Sequence, residues 1–149
     1  TAVDHAQAAR EYGLAAQAGL DWAQYNLGHM LLSGDGVARD VDAAFVHYSR
    51  AAAQGHVRAM NLLGRCHEQG WGTPRDRRLA LLWYRRSARC GYFRGAYNYA
   101  SLLAEKPCLK GARLWFDRAI AWAPEPSRSL MISALARHDI SALRPFLAM

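Results

Sequence analysis

Two short stretches hold the residues most open to a chemical reading. "LLSGDGVARD" (residues 31–40) places two glycines around one aspartate and closes on a second, and "HEQGWGTPRD" (residues 67–76) repeats the glycine spacing. A phosphate loop needs GxxxxGK[ST], and a dinucleotide fingerprint needs GxGxxG after a strand. Neither stretch has the lysine and hydroxyl, and each follows a helical pattern rather than a strand. A calcium loop needs alternating acids and a terminal glutamate. Asp35, Asp40 and Asp42 miss that register, and within "QGWGTPRD" the second copy keeps only Asp76 of the acids. The two copies share glycines instead of ligands. They read as punctuation between helices.

The other reactive side chains form no constellation. His5, His29, His47, His56, His67 and His138 are scattered, with no HExxH and no i,i+4 ligand pair. Cys66 and His67 are neighbours, so on a helix they diverge by about 100° and do not share a metal easily. Ser33, Ser49, Ser87 and Ser101 lack a nucleophile elbow. The expectation is no catalytic residue, no metal and no cofactor. The cysteines, Cys66, Cys90 and Cys108, are odd in number and lack CxxC spacing, which disfavours a disulfide framework or a zinc site. Buried free thiols suit a reducing compartment, so the reading leans cytoplasmic rather than periplasmic.

Whatever the loops do, helices must position them. Aligning residues 23–55 with 59–91 matches Gly28 to Gly64, Gly34 to Gly70, Gly36 to Gly72, Asp40 to Asp76, Ala44 to Ala80, Tyr48 to Tyr84, Ala52 to Ala88 and Gly55 to Gly91, always 36 residues apart. Upstream, Ala8, Tyr12, Ala16 and Gly19 repeat the second half of a unit. Downstream, residues 95–105 and 112–123 repeat both halves, with about four residues missing between them and Ala100 in place of a glycine. Ala23, Leu27, Met30 and Leu31 recur at helical spacing, and so do Ala44, Phe45, Tyr48, Ala51 and Ala52. Each unit is a helix pair. One pair cannot bury its apolar face alone, so pairs must stack. Gly34 and Gly70 are expected to close helices in the left-handed conformation, and Asp40 and Asp76 to cap the next ones.

Composition suits this design. The chain has 149 residues, is 52 % hydrophobic and 21 % charged, and has no apolar run long enough to span a membrane. Its first residue is Thr1 rather than Met, which reads as a processed or excised chain. Net charge is +7, carried by seventeen Arg and two Lys, and favours acidic partners.

The sequence resembles the Sel1-like repeats, relatives of the tetratricopeptide repeats. The resemblance lies in the ALG-like first helix, the G-x-G loop, the capping Asp, the W/H-Y pair and the AAxxG ending, in that order. It implies an all-α fold, a right-handed α/α superhelix of antiparallel helix pairs. The expected organisation is a partial unit over 1–20, full units over 21–56 and 57–92, and a degenerate unit over 93–125. Residues 126–149 then form capping helices, one after Ser127 and a short one from about Ser141, with Leu130, Ile132, Leu135 and Ile140 covering the last open face. The open N-terminal edge reads as either truncation or self-association.

The resemblance also implies a non-enzymatic scaffold that holds a protein or peptide in a concave groove lined by the first helix of each pair. Carried onto this chain, the lining residues are Trp22, Tyr25, Asn26 and His29, then Arg58, Asn61, Arg65 and Glu68, then Arg94, Tyr97, Asn98 and Ser101. Asn can bond a peptide backbone both ways, and Arg can grip a carboxylate. Trp22 and Trp71 have no repeat equivalents and are surface candidates, since Trp is enriched at hot spots. The competing reading uses a basic face of Arg75, Arg78, Arg85, Arg86 and Arg89 to bind nucleic acid or another anionic surface. No nucleic-acid motif accompanies it.

Overall fold

The structure is a computed structural model that describes residues 1–105 and 109–137. It contains eight α-helices among the described residues: α1 (Ala2–Gln17), α2 (Asp21–Ser33), α3 (Val41–Ala53), α4 (Val57–Gln69), α5 (Arg77–Arg89), α6 (Phe93–Ala104), α7 (Leu109–Trp122) and α8 (Ser127–Ala136). The chain divides into two compact units, Thr1–Ala80 and the part from Leu81 onward, with the division inside α5. Cys108, His138, Ile140 and the expected helix from Ser141 lie outside the described residues. No helix among the described residues is long and apolar enough to cross a membrane.

The loops do what their spacing requires. Gly34 and Gly70 close α2 and α4 at φ of 75° and 76°, and their N–H groups donate to Met30 and Cys66, each at 2.8 Å. Such a left-handed cap strains any residue with a Cβ. At the far end of each loop, Asp40 accepts from Ala43 N at 2.9 Å, and Asp76 accepts from Arg78 N and Leu79 N at 2.9 and 3.0 Å. The backbone returns identically in both copies, with Asp40 N on Leu31 O and Asp76 N on His67 O. The second glycine of each loop has a further role. Gly36 lies against the His5 carbonyl on α1, and Gly72 lies against Val41 and Phe45 on α3, so each loop seats on the first turn of a helix one repeat earlier.

In the first unit the core is Leu31, Ala44, Tyr48, Leu62 and Cys66, with Phe45 and Trp71 packed against it. Tyr48 is fully buried. A methyl group on Gly28 would lie 2.6 Å from its Cε1 and 2.9 Å from its Cδ1. The glycine lets α2 approach α3 to ring-contact distance, and this closeness offsets about 1 kcal/mol of lost helix propensity. The Tyr48 hydroxyl has no hydrogen-bond partner among the described residues, and burial pushes its pKa up. The ring is therefore the useful part, and the hydroxyl is a cost.

In the second unit Tyr97, Ala100, Ala112, Phe116, Ala119, Met131 and Ala134 form the core. Here α8 covers α7 through Met131 and Ala134, both fully buried, with Leu135 packed at their side. Leu130 and Ile132, expected to do this, are exposed instead. They flank Met131 in sequence, and adjacent helical positions diverge by about 100°, so the face centred on Met131 turns both outward. Cys66 is buried as expected, but Cys90 is exposed.

We predict that Gly28→Ala lowers the melting temperature by a few degrees, because an overpacking cost of about 1–3 kcal/mol exceeds the propensity gain. Tyr48→Phe should match or exceed wild-type stability by up to about 1 kcal/mol. Thermal unfolding followed by circular dichroism checks both; a more stable Gly28→Ala would show that helix approach is not what the glycine serves.

Candidate interaction surface

The repeat period puts Trp22, Arg58 and Arg94 in one slot, the first turn of α2, α4 and α6. Trp22 is 47 % exposed, Arg58 is exposed and Arg94 is half-buried. Trp22 meets Tyr12 of α1 edge-on, with centroids 6.1 Å apart. Tyr25, one turn along α2, stacks on His56 at 4.7 Å and meets His29 edge-on at 4.8 Å. Gln54 donates to Gln24 at 2.9 Å beside this stack. Asp21, Arg58 and His56 are close enough for both charges to act on the imidazole. The first unit thus carries an aromatic and charged edge made of the starts of α2 and α4.

The other groove candidates divide by burial. Asn26, His29, Arg65 and Glu68 are half-buried. Asn26 donates to Trp22 O at 2.8 Å along its own helix, and Arg65 lies over the Trp71 ring at 5.2 Å. Asn61, Tyr97, Asn98 and Ser101 are interior, none more than 2 % exposed. Tyr97 packs edge-on against Phe116 at 5.2 Å in the core of the second unit, and Ser101 donates to Tyr97 O at 2.9 Å. The expectation of a solvent-facing side for these four therefore does not hold. In the second unit α6 packs along α7, and this takes Tyr97 into the core with Phe116. Trp71, offered as a surface residue, is half-buried against the first core. The basic face is accessible throughout: Arg75, Arg78, Arg85, Arg86 and Arg89 are all exposed.

Two features have no counterpart in the sequence reading. His5 Nδ1 lies 2.6 Å from Asp35, an ion pair when protonated, which ties α1 to the α2–α3 loop. His56 caps α4, its Nδ1 accepting from Ala59 N at 3.1 Å. The repeat could have revealed this slot: Leu20, His56 and Tyr92 precede three first helices, and of them only His56 makes a side-chain cap.

Burial sets the titration of the buried and half-buried groups. It holds the His47, His56 and His67 imidazoles below the ordinary value of 6.5, with Arg50 and Arg58 adding to the effect at His47 and His56. Asp21 and Asp76 oppose it at His56 and His67 without reversing it. Burial also pushes the Cys66 thiol up to about 12, so it carries no thiolate reactivity at neutral pH. Among the described residues no group of three or more His, Cys, Asp and Glu lies close enough to hold a metal ion.

A family model described as "Sel1 repeat" matches residues 23–56 and 57–92. The chain carries two Sel1-like repeats, over residues 23–92. Among solved structures, a Sel1 repeat protein from Oxalobacter formigenes matches 87 % of this chain at TM-score 0.77 and 25 % identity. A protective antigen present in uropathogenic Escherichia coli strains, displaying an SLR fold, matches 98 % at TM-score 0.77 and 29 % identity. The chain spans 54 % of the first and 32 % of the second. No curated protein matches significantly. The fold is an all-α helical-repeat solenoid. Sel1 repeat proteins are generally protein–protein interaction scaffolds and typically not enzymes.

The His47, His56 and His67 imidazoles, one buried and two half-buried, give the fold a dependence on pH. Their folded-state pKa values are depressed, so their contribution is complete above the ordinary value of 6.5 and is lost as pH falls through the lower folded-state values. We predict a lower melting temperature at pH 5 than at pH 8. Replacing His56 with Asp, which still accepts from Ala59 N when ionised, should shrink that difference. An unchanged melting temperature across the range would contradict the assignment.

Proposed function

We propose that the chain is a non-enzymatic scaffold that docks a protein or an extended peptide on the first helices of its repeats. The observation that carries this reading is the common first-turn slot of Trp22, Arg58 and Arg94. Side chains at a slot the fold does not need for its core are free to vary, and here they are Trp and Arg, the types most enriched at binding hot spots. Trp22 is the only one of these three that combines a large apolar surface with substantial exposure. Burying it against a partner would remove an exposed aromatic from water.

The accessible set in the first unit is Trp22, Tyr25, His29, Arg58 and Arg65. Tyr25 is held by its stack on His56 and Arg65 by Trp71, so both lose little freedom on binding. Arg58 and Arg65 suit carboxylates, which makes an acidic partner segment the best fit. In the second unit Arg94 stands over Phe93 at 5.3 Å and donates to the Tyr92 hydroxyl at 3.4 Å, an ordered guanidinium of the same kind. Asn61, Tyr97, Asn98 and Ser101 support the helices beneath.

The test begins with affinity capture by the intact chain and continues with the captured partner in purified form. Trp22→Ala combined with Arg58→Glu should weaken that partner's binding by at least about tenfold, as expected for a hot-spot pair, with helical content unchanged. Undiminished affinity would remove this edge from the account.

A further inference from the structure

The outward face of α5 is not what the repeat requires. Its equivalent on α3 carries Asp42, Ala43, Val46, Ser49, Arg50 and Ala53, while α5 carries Arg78, Leu79, Leu82, Arg85, Arg86 and Arg89 at the same positions. Both helices bury the same inner residues, Ala44 and Tyr48 in one and Ala80 and Tyr84 in the other. The fold is thus satisfied by an ordinary mixed surface, and α5 has something else. Three positions have become arginine and two have become leucine.

Only one of these substitutions suits the helix dipole, Arg89 in the last turn, and the spacing of the arginines works against the helix. Arg85 and Arg89 are i,i+4 neighbours, and Arg86 and Arg89 are i,i+3 neighbours; like charges at those spacings destabilise a helix. Arg78 stands in the first turn, where the helix dipole disfavours a cation. The helix contains no acidic residue of its own, and among the described residues Arg78, Arg85 and Arg89 make no ion pair. Leu79 and Leu82 are 38 % and 39 % exposed on this face. The face therefore combines four exposed arginines with two partly exposed leucines, a cationic and apolar mixture that its α3 equivalent lacks.

We propose that the outward face of α5 docks the chain on an anionic lipid membrane. The four arginines would meet acidic headgroups while Leu79 and Leu82 enter the interfacial layer, as on a helix lying in the membrane plane. The long arginine stems let the charges stay at headgroup level above the leucines. Single-stranded nucleic acid would call for exposed aromatic rings on which bases stack. Here the one tryptophan of the helix, Trp83, is half-buried with Arg86 over its ring at 4.8 Å. The proposal is independent of the protein-binding reading, because α5 carries none of the first-helix residues.

The test is co-sedimentation with vesicles of phosphatidylcholine alone and of phosphatidylcholine mixed with phosphatidylserine, at low and high salt. The chain should bind only the mixed vesicles and should release as salt screens the charges. R85E/R89E should weaken binding at least about tenfold. L82S should weaken it less, with the salt dependence retained. R10E/R50E makes the same change in net charge at exposed sites elsewhere and should keep affinity within about threefold, since surface attraction fades within a Debye length. If R85E/R89E loses helical content, R85Q/R89Q is read in its place, with at least about threefold loss expected. Four results would overturn the proposal: no binding to the mixed vesicles, equal binding to phosphatidylcholine alone, equal loss in R10E/R50E, or capture of an RNA oligonucleotide without vesicle binding.

Discussion

The ring of Tyr48 lies fully buried against Gly28, where no side-chain carbon fits, and that contact sets how closely α2 and α3 approach. A helix pair that close leaves little room for large side chains, so most of its other buried positions are alanines, Ala23, Ala44, Ala51 and Ala52, with Gln24 and Leu31 beside them. The loop between the helices must then be short and sharply closed. Gly34 supplies the closure, and Gly36 presses the loop on the helix of the preceding repeat. Close pairing and close stacking are thus linked through one loop.

Much of this could be read from the sequence because it is periodic. A position that must be small, left-handed or a cap in one copy must be so in the next, and the 36-residue match exposed Gly34, Gly70, Asp40 and Asp76 together. The face of each first helix was less legible. Periodicity shows which residues are alike, but burial depends on how many neighbours a helix has. Tyr97 and Asn98 share a register with the half-buried Tyr25 and Asn26 of the first repeat, yet they are interior. His56 escaped for another reason: a histidine is an unusual cap, and its equivalents Leu20 and Tyr92 make none. In the closing helix, Met131 rather than Leu130 or Ile132 faces the core, a difference of one position that apolar content alone does not settle.

The surface follows from the same logic. Core and loop positions are constrained by packing, which leaves first-turn slots and outward helix faces to carry what distinguishes this chain among Sel1-like proteins. Trp22 and Arg58 fill the former, and the arginines and leucines of α5 fill the latter. Of the arginines that give the whole chain its +7 charge, four stand on the outward face of α5, where the repeat does not require them. Two separate surfaces would let one scaffold engage two kinds of partner at once.

The central claim is that the first-helix edge, rather than any other face, meets a protein partner. Site-specific photocrosslinking reads this directly. A photoreactive phenylalanine analogue placed at Trp22, at Arg58 or at the exposed Ala53 of α3 reports which face lies within reach of the captured partner. The account predicts crosslinks from the positions of Trp22 and Arg58 and none from that of Ala53; crosslinks from Ala53 alone would contradict it.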